Sequence, residues 1–136
     1  MFVVRSVQCV AFVLTTQFIG WLVMRIIPEV VVINSTALFG VIRTPLGIAA
    51  IILLGLVAIG WLGTARLNHW QSLGLVLVLA GGVSNVIDRL VWGGAVDYIP
   101  LGSWSTFNLA DVEIVGGALL LVSGDAMCAI KKRSLV

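Results

Sequence analysis

Two carboxylates, Asp97 and Asp111, are the residues in this chain best suited to chemistry. They lie 14 residues apart, the first in a loop rich in glycine and extended residues, the second at the start of an apolar stretch. A loop of that length returns easily, so both acids can reach one depth near a membrane surface. Two carboxylates held close cannot both ionise cheaply; they share one proton and titrate as a unit. The ionised member can then take a proton from water while the protonated member donates to a peptide carbonyl, which is the aspartic-protease arrangement. It needs no metal, cofactor, serine or cysteine.

Other chemistries find less support. His69 is the single histidine, and it falls in a different loop from the acids. There is no H-E-x-x-H, and both lysines belong to the C-terminal tail, so no Ser/Lys pair forms on the side of the acids. Cys9 and Cys128 lie in apolar segments without metal-site spacing and read as small buried residues. Gly81-Gly82 and Gly116-Gly117 are not phosphate loops; inside apolar stretches they permit close helix packing. The remaining acids are Glu29, Asp88, Glu113 and Asp125. Spacing alone leaves a second reading open, with Asp88 and Arg89 as an interfacial ion pair and Asp111 as a charge favoured at a helix N-terminus. Asp125 follows Asp111 by another 14 residues, about 21 Å along a helix, and is expected at the opposite end, solvated or paired.

The elements that must position the acids follow from hydropathy. Of 136 residues, 60% are hydrophobic and 10% charged, against roughly 45–50% and about 25% in soluble domains. Mean hydropathy is +1.16. The bilayer is the expected solvent, and a net charge of +2 gives no argument for nucleic acid. Four windows match the roughly 20 apolar residues of a spanning helix, at 7–27, 45–63, 70–87 and 109–130. The expected fold is an all-α membrane protein with four spans in a single domain over 1–136. The first window follows Arg5, but it exceeds a signal-peptide core and no A-x-A-like site follows, so it is expected to be retained.

Lys/Arg counts orient the spans. Arg5, Arg66, Lys131, Lys132 and Arg133 fall on one side, and Arg25, Arg43 and Arg89 on the other. Both termini are therefore expected in the cytoplasm, with loops 28–44 and 88–108 outside. Val30-Val31-Val32-Ile33 is a β-branched run, and 93–107 contains further extended and turn signals. Together they are expected to form a small extended platform on the outer face. Asn34-Ser35-Thr36 also fits the glycosylation pattern.

These residues resemble a known family. Ala80-Gly81-Gly82-Val83-Ser84-Asn85-Val86-Ile87-Asp88-Arg89 resembles the G-G-x-x-G-N-x-x-D-R block of lipoprotein signal peptidase (signal peptidase II). Gly94-Ala95-Val96-Asp97-Tyr98-Ile99 resembles its V-V-D-F segment, and Thr106-Phe107-Asn108-Leu109-Ala110-Asp111 its F-N-x-A-D block. The stretch from Asn34 to Gly40 is similar to N-x-G-A-A-F-G, and the four blocks occur in the family's order.

The resemblance implies a catalytic pair of Asp97 and Asp111. Asn34, Asn85, Arg89 and Asn108 would support it or position substrate, and Asp88 would be structural, holding Arg89. It implies an enzyme of the bacterial cytoplasmic (inner) membrane, with the outer platform forming the family's β-cradle. The substrate would be a diacylglyceryl-modified prolipoprotein, cut just before the lipidated cysteine, and membrane lipids would be the other partner. No cofactor is implied, and a monomer suffices because one chain supplies both acids. The chain departs from the pattern in four places: the first-span D-Q-x-x-K reads Thr16-Gln17-Phe18-Ile19-Gly20, Thr36 and Ser84 each replace a glycine, and Glu113 replaces a small residue. On a helix Glu113 lies about 200° from Asp111, which points it away from the pair. A silent member that binds lipoprotein precursors without cutting them is the alternative. A proton or solute conductor would need acids stacked through several spans, and the 45–63 and 70–87 windows have none.

Overall fold

A computed structural model describes residues 2–35, Gly55 and 67–133. In chain order the elements are helix α1 (Phe2–Ile26), a 3-10 turn (Pro28–Val30), strand β1 (Val32–Asn34), helix α2 (His69–Trp92), strands β2 (Ala95–Asp97), β3 (Ile99–Leu101) and β4 (Ser105–Phe107), and helix α3 (Leu109–Arg133). Apart from Gly55, the expected window at 45–63 lies outside the described residues. Two described segments, Val4–Ile26 and His69–Trp92, are long and apolar enough to cross a membrane, with mean hydropathies of 1.7 and 1.6. Helix α3 carries three acids, Asp111, Glu113 and Asp125.

Helix α2 starts and stops on clear chemical signals. Asn68 caps its N-terminus in a reciprocal box: Asn68 Oδ1 accepts from the Gln71 amide at 3.0 Å, and Gln71 Oε1 accepts from the Asn68 amide at 3.1 Å. Gly93 ends the helix with φ +78°, a left-handed conformation suited to glycine.

Helices α2 and α3 pack with their backbones nearly touching. A methyl added at Gly117 would meet the Gly74 carbonyl oxygen at 2.5 Å, and one at Gly74 would meet the Gly117 oxygen at the same distance. Further along, a methyl at Gly81 would run into the Ala110 carbonyl. Only one glycine of each adjacent pair serves this contact, since Gly82 and Gly116 meet no described atom within 4 Å. Gly117→Val is therefore expected to push the helices apart and to lower stability by about 1–3 kcal/mol. Gly116→Ala is expected to leave it unchanged; thermal unfolding of the two variants in detergent checks the contrast.

The interior of the described residues is unusually polar. Val76, Ala80, Ala95, Val96 and Ala110 are its buried apolar members, while Thr16, Ser72, Ser84, Asn85, Asp88, Asp97, Asn108 and Glu113 are also buried. The outward helix faces carry Val7, Val10, Leu14, Phe18, Leu119 and Val122, the last 86% exposed. Apolar outside and polar inside is the arrangement that lipid favours, because polar groups must find their partners within the protein. Helix α1 is tied in this way. Gln17 Nε2 donates to the Ser84 carbonyl at 3.1 Å and to Asp88 Oδ1 at 3.0 Å, and Thr16 Oγ1 donates to Glu113 Oε1 at 2.7 Å.

The extended segments form two small antiparallel sheets. Strand β1 pairs with β2 in the register Val32↔Asp97, Ile33↔Val96, Asn34↔Ala95. Strand β3 pairs with β4, Ile99↔Phe107 through Leu101↔Ser105, around a turn containing Gly102 at φ +58°. The β-branched run before Asn34 thus contributes a strand that begins at Val32, because Pro28 sets up a 3-10 turn through Val30 first.

Candidate functional site

The site grows from the start of α3. The Asn108 carbonyl accepts from the Val112 amide, and its side-chain Oδ1 accepts from the Asp111 amide at 3.0 Å. Asp111 Oδ2 in turn accepts from the Asn108 amide at 3.3 Å. The Asn-x-x-Asp spacing is thus a capping box that satisfies two donors otherwise orphaned at a helix start. It also fixes which way the Asn108 amide faces. With Oδ1 engaged, Nδ2 has two hydrogens to place, and it donates one to Asp97 Oδ1 and one to Asn85 Oδ1, both at 3.0 Å. The Asn85 amide then points its own Nδ2 at Asp111 Oδ1, at 2.9 Å.

Asn108 is therefore the joint between the two carboxylates, bonded to Asp97 through its side chain and to Asp111 through side chain and backbone. Asp97, the last residue of β2, is 3% exposed and has its second oxygen, Oδ2, bonded to Asn34 Nδ2 at 3.0 Å. Burial raises the Asp97 carboxyl to about 6; the nearby charge of Asp111 raises it too, against the lowering effects of Asn34, Arg89 and Asn108. Arg89 is steadied by donating from Nη1 to the Asn85 carbonyl at 2.9 Å. Asn34 Nδ2, the atom a glycan would occupy, is the one engaged with Asp97.

The other acids fall elsewhere. Asp88 Oδ2 accepts from the Val96 amide at 3.2 Å while Oδ1 takes Gln17, so this residue docks β2 onto α2 one position before Asp97. Glu113 is buried against Thr16 of α1. Asp125 accepts from Asn68 Nδ2 at 2.9 Å, at the opposite end of α3, where His69 also lies. The polar site residues named from sequence, Asn34, Asn85, Arg89, Asn108, Asp97 and Asp111, converge at one end of the molecule.

Two contributors were not singled out as site residues from sequence. Gln17 holds Asp88, and the Tyr98 hydroxyl accepts from the Leu109 amide at 3.3 Å, bracing the first residue of α3 against the strand segment. Burial pushes the Tyr98 phenol up from its ordinary value. An amide in an otherwise apolar span was the available signal for Gln17; nothing in the sequence distinguished Tyr98 from an ordinary platform aromatic.

Comparison with solved structures defines the class of fold. A bacterial membrane enzyme superposes with a TM-score of 0.71 over 96% of this chain and 90% of its own, at 21% identity. A second bacterial membrane enzyme gives 0.64 over 89% and 91%, at 20% identity. The particular family follows from sequence: the model for Signal peptidase (SPase) II matches residues 3–125, and the chain belongs to that family. With its apolar helices, it is a membrane protein.

Relatives named lipoprotein signal peptidase include that of Mycobacterium bovis (strain BCG / Pasteur 1173P2), 36% identical over 96 residues, covering 65% of this chain and 48% of that one. That of Mycobacterium leprae is 32% identical over 127 residues, covering 88% and 63%. That of Xanthomonas oryzae pv. oryzae is 48% identical over 64 residues, covering 43% and 39%. The chain thus spans about half the length of the first of these curated relatives.

Proposed function

We propose that this chain is a membrane aspartyl endopeptidase that removes the signal peptide from diacylglyceryl-modified prolipoproteins, cutting before the lipidated cysteine. The observation that carries the reading is the single Asn108 side chain bonded toward both Asp97 and Asp111, in a chain of the signal peptidase II family. Asp97, raised to about 6, is the member that holds the shared proton. Asp111 takes a proton from the attacking water as its oxygen bonds to the scissile carbonyl carbon, and Asp97 gives its proton to the carbonyl oxygen. Collapse of the tetrahedral intermediate returns a hydroxyl proton to Asp97. The proton on Asp111 passes to the departing nitrogen, so both groups end as they began.

The wider reading is a single integral domain over 1–136 with four spans and a β-cradle above them. It sits in the bacterial cytoplasmic membrane with both termini inside. Asn34, Asn85, Arg89 and Asn108 support the pair, and Asp88 is structural. A monomer suffices. The lipid anchor would hold the scissile bond at headgroup depth, level with the pair.

The test is incubation of the purified protein with a lipidated prolipoprotein in detergent, with intact-mass analysis of the products. Two products that divide just before the modified cysteine support the proposal. Binding without a cut would mark a silent precursor-binding member instead.

The raised Asp97 carboxyl gives a pH signature. Catalysis needs its proton, so kcat/KM is expected to fall about tenfold per pH unit above about 6. The Asn34 hydrogen bond favours the ionised form and lowers the value. Asn34→Ala is therefore expected to move the alkaline limb to higher pH, readable in pH–rate profiles of the two proteins. A limb that stays put would exclude Asp97 as the group that titrates.

A further inference from the structure

The end of the molecule opposite the acids holds an unassigned feature. Between the start of α1 and the start of α2 lies a cleft of about 360 Å³ lined by Val4, Arg5, Gln8, His69 and Leu73. The Nε of Arg5, one of these lining residues, is buried with no hydrogen-bond acceptor among the described residues. The contrast with α1's other arginine is direct: Arg25 lies over the Trp21 ring, 5.7 Å from its centroid. A buried guanidinium N–H with no acceptor is unfavourable, and it fits a ligand that brings one.

Depth narrows the choice. Helix α1 has 25 residues, or roughly 37 Å at about 1.5 Å each, against a hydrocarbon core of about 30 Å. Its ends therefore reach the headgroup layers, and Arg5, near the first end, lies among lipid phosphates. Guanidinium forks pair with phosphate in a bidentate manner. Gln8 and His69 add donors on the rim, while Val4 and Leu73 supply apolar walls. On the same helix Val4, Val7 and Val10 are exposed in a row leading toward the bilayer interior, a track for an acyl chain. The acid described at this end, Asp125, already accepts from Asn68.

We infer that the cleft between α1 and α2 binds the phosphate of an anionic phospholipid in the leaflet at the start of α1, with Arg5 as its main contact and His69 and Gln8 as supports. Basic pockets between spanning helices bind acidic headgroups in this way. A zwitterionic choline headgroup would bring a second cation to Arg5 and fits less well. The inference stands apart from the proteolytic reading, since none of these residues belongs to the acid pair and its test involves no cleavage.

The experiment is a thermal-shift titration of the purified protein in detergent with phosphatidylglycerol, phosphatidylcholine or inorganic phosphate. Phosphatidylglycerol is expected to stabilise the wild type, and the other two are not. Arg5→Gln is expected to weaken the apparent affinity for phosphatidylglycerol about fivefold or more, with Arg5→Lys intermediate. His69→Leu leaves the Lys/Arg count of this end untouched, so topology is preserved, and it is expected to weaken binding as well. Equal shifts from phosphatidylcholine would overturn the preference for an anionic headgroup. An equal shift from inorganic phosphate would overturn the lipid as source. Unchanged phosphatidylglycerol affinity in both Arg5→Gln and His69→Leu would overturn the site.

Discussion

Asp97→Asn and Asp111→Asn are each expected to lower the rate of prolipoprotein cleavage by at least about 10³-fold, and the double variant by no more than either alone. General acid and general base each contribute about 10²–10⁴-fold. In the proposed mechanism the two act through one shared proton, so removing either would disable both and the losses would not add. The folded state of Asp97→Asn answers the objection that an inactive variant has merely unfolded. The Asp97 carboxyl titrates at about 6 in the folded chain against an ordinary value of 3.8, so the folded state binds this proton more tightly than the unfolded state. Its contribution is then fully favourable below about 4 and is lost as pH rises through about 6. An amide in place of the carboxyl does not titrate, and the loss disappears. The amide keeps its carbonyl toward Asn108 Nδ2, and half-buried Asn34 turns its own amide over to accept from the new donor. The variant is expected to melt at pH 7 no lower than wild type, and to show a flatter dependence of melting temperature on pH between about 4 and 6. Calorimetry at several pH values beside the cleavage assay reads both. A variant that cleaves at wild-type rate would end the proteolytic mechanism.

Much of the scaffold could be read from the chain because its signals are local. The apolar windows near 7–27, 70–87 and 109–130 correspond to α1, α2 and α3; α1 starts before its window and ends at Ile26, while α2 and α3 run a few residues past theirs. Gly93 stops α2 beyond the expected end since it supplies the left-handed residue the terminus needs. The extended platform was legible from β-branched and turn residues, but its pairing was not. Strand β1 meets β2 across more than 60 residues, and no local pattern specifies such a register. Packing detail was equally hidden: Gly81 and Gly82 look alike in sequence, and only the helix rotation decides which of them meets the Ala110 backbone.

The site illustrates a second reason for partial legibility. Sequence offered two readings of Asp111, as a charge at a helix start and as half of an acid pair, and these looked like rivals. The hydrogen bonds make them compatible, because Asp111 closes the cap through Oδ2 while Oδ1 faces Asn85. One residue can hold the helix end and, for that reason, be held in place itself. The same economy explains Gln17. In lipid its amide needs partners inside the protein, and those partners, Ser84 and Asp88, lie on the helix that carries Asn85.

Asn108 is where these functions meet, so its variants separate them. Asn108→Ala removes the acceptor for the Asp111 amide and the donor to both Asp97 and Asn85. Loss of an N-cap costs about 0.5–2 kcal/mol, and the pair loses its common support; cleavage is expected to fall by about 10²-fold or more, with reduced thermal stability. Asn108→Asp divides the two effects. A carboxylate still accepts from the Asp111 amide and suits the positive end of α3. It can no longer donate to Asp97, and at 2% exposure it sets a third acid beside Asp97 and Asp111, which in the proposed mechanism share one proton. The cap survives while the pair's proton balance does not. Helix content by circular dichroism is expected to remain at the wild-type level, with cleavage still reduced by about 10²-fold or more. If Asn108→Asp instead retained wild-type cleavage, the amide bridge would be a structural cap alone, and the carboxylates would be positioned by Asn34 and Asn85 without it.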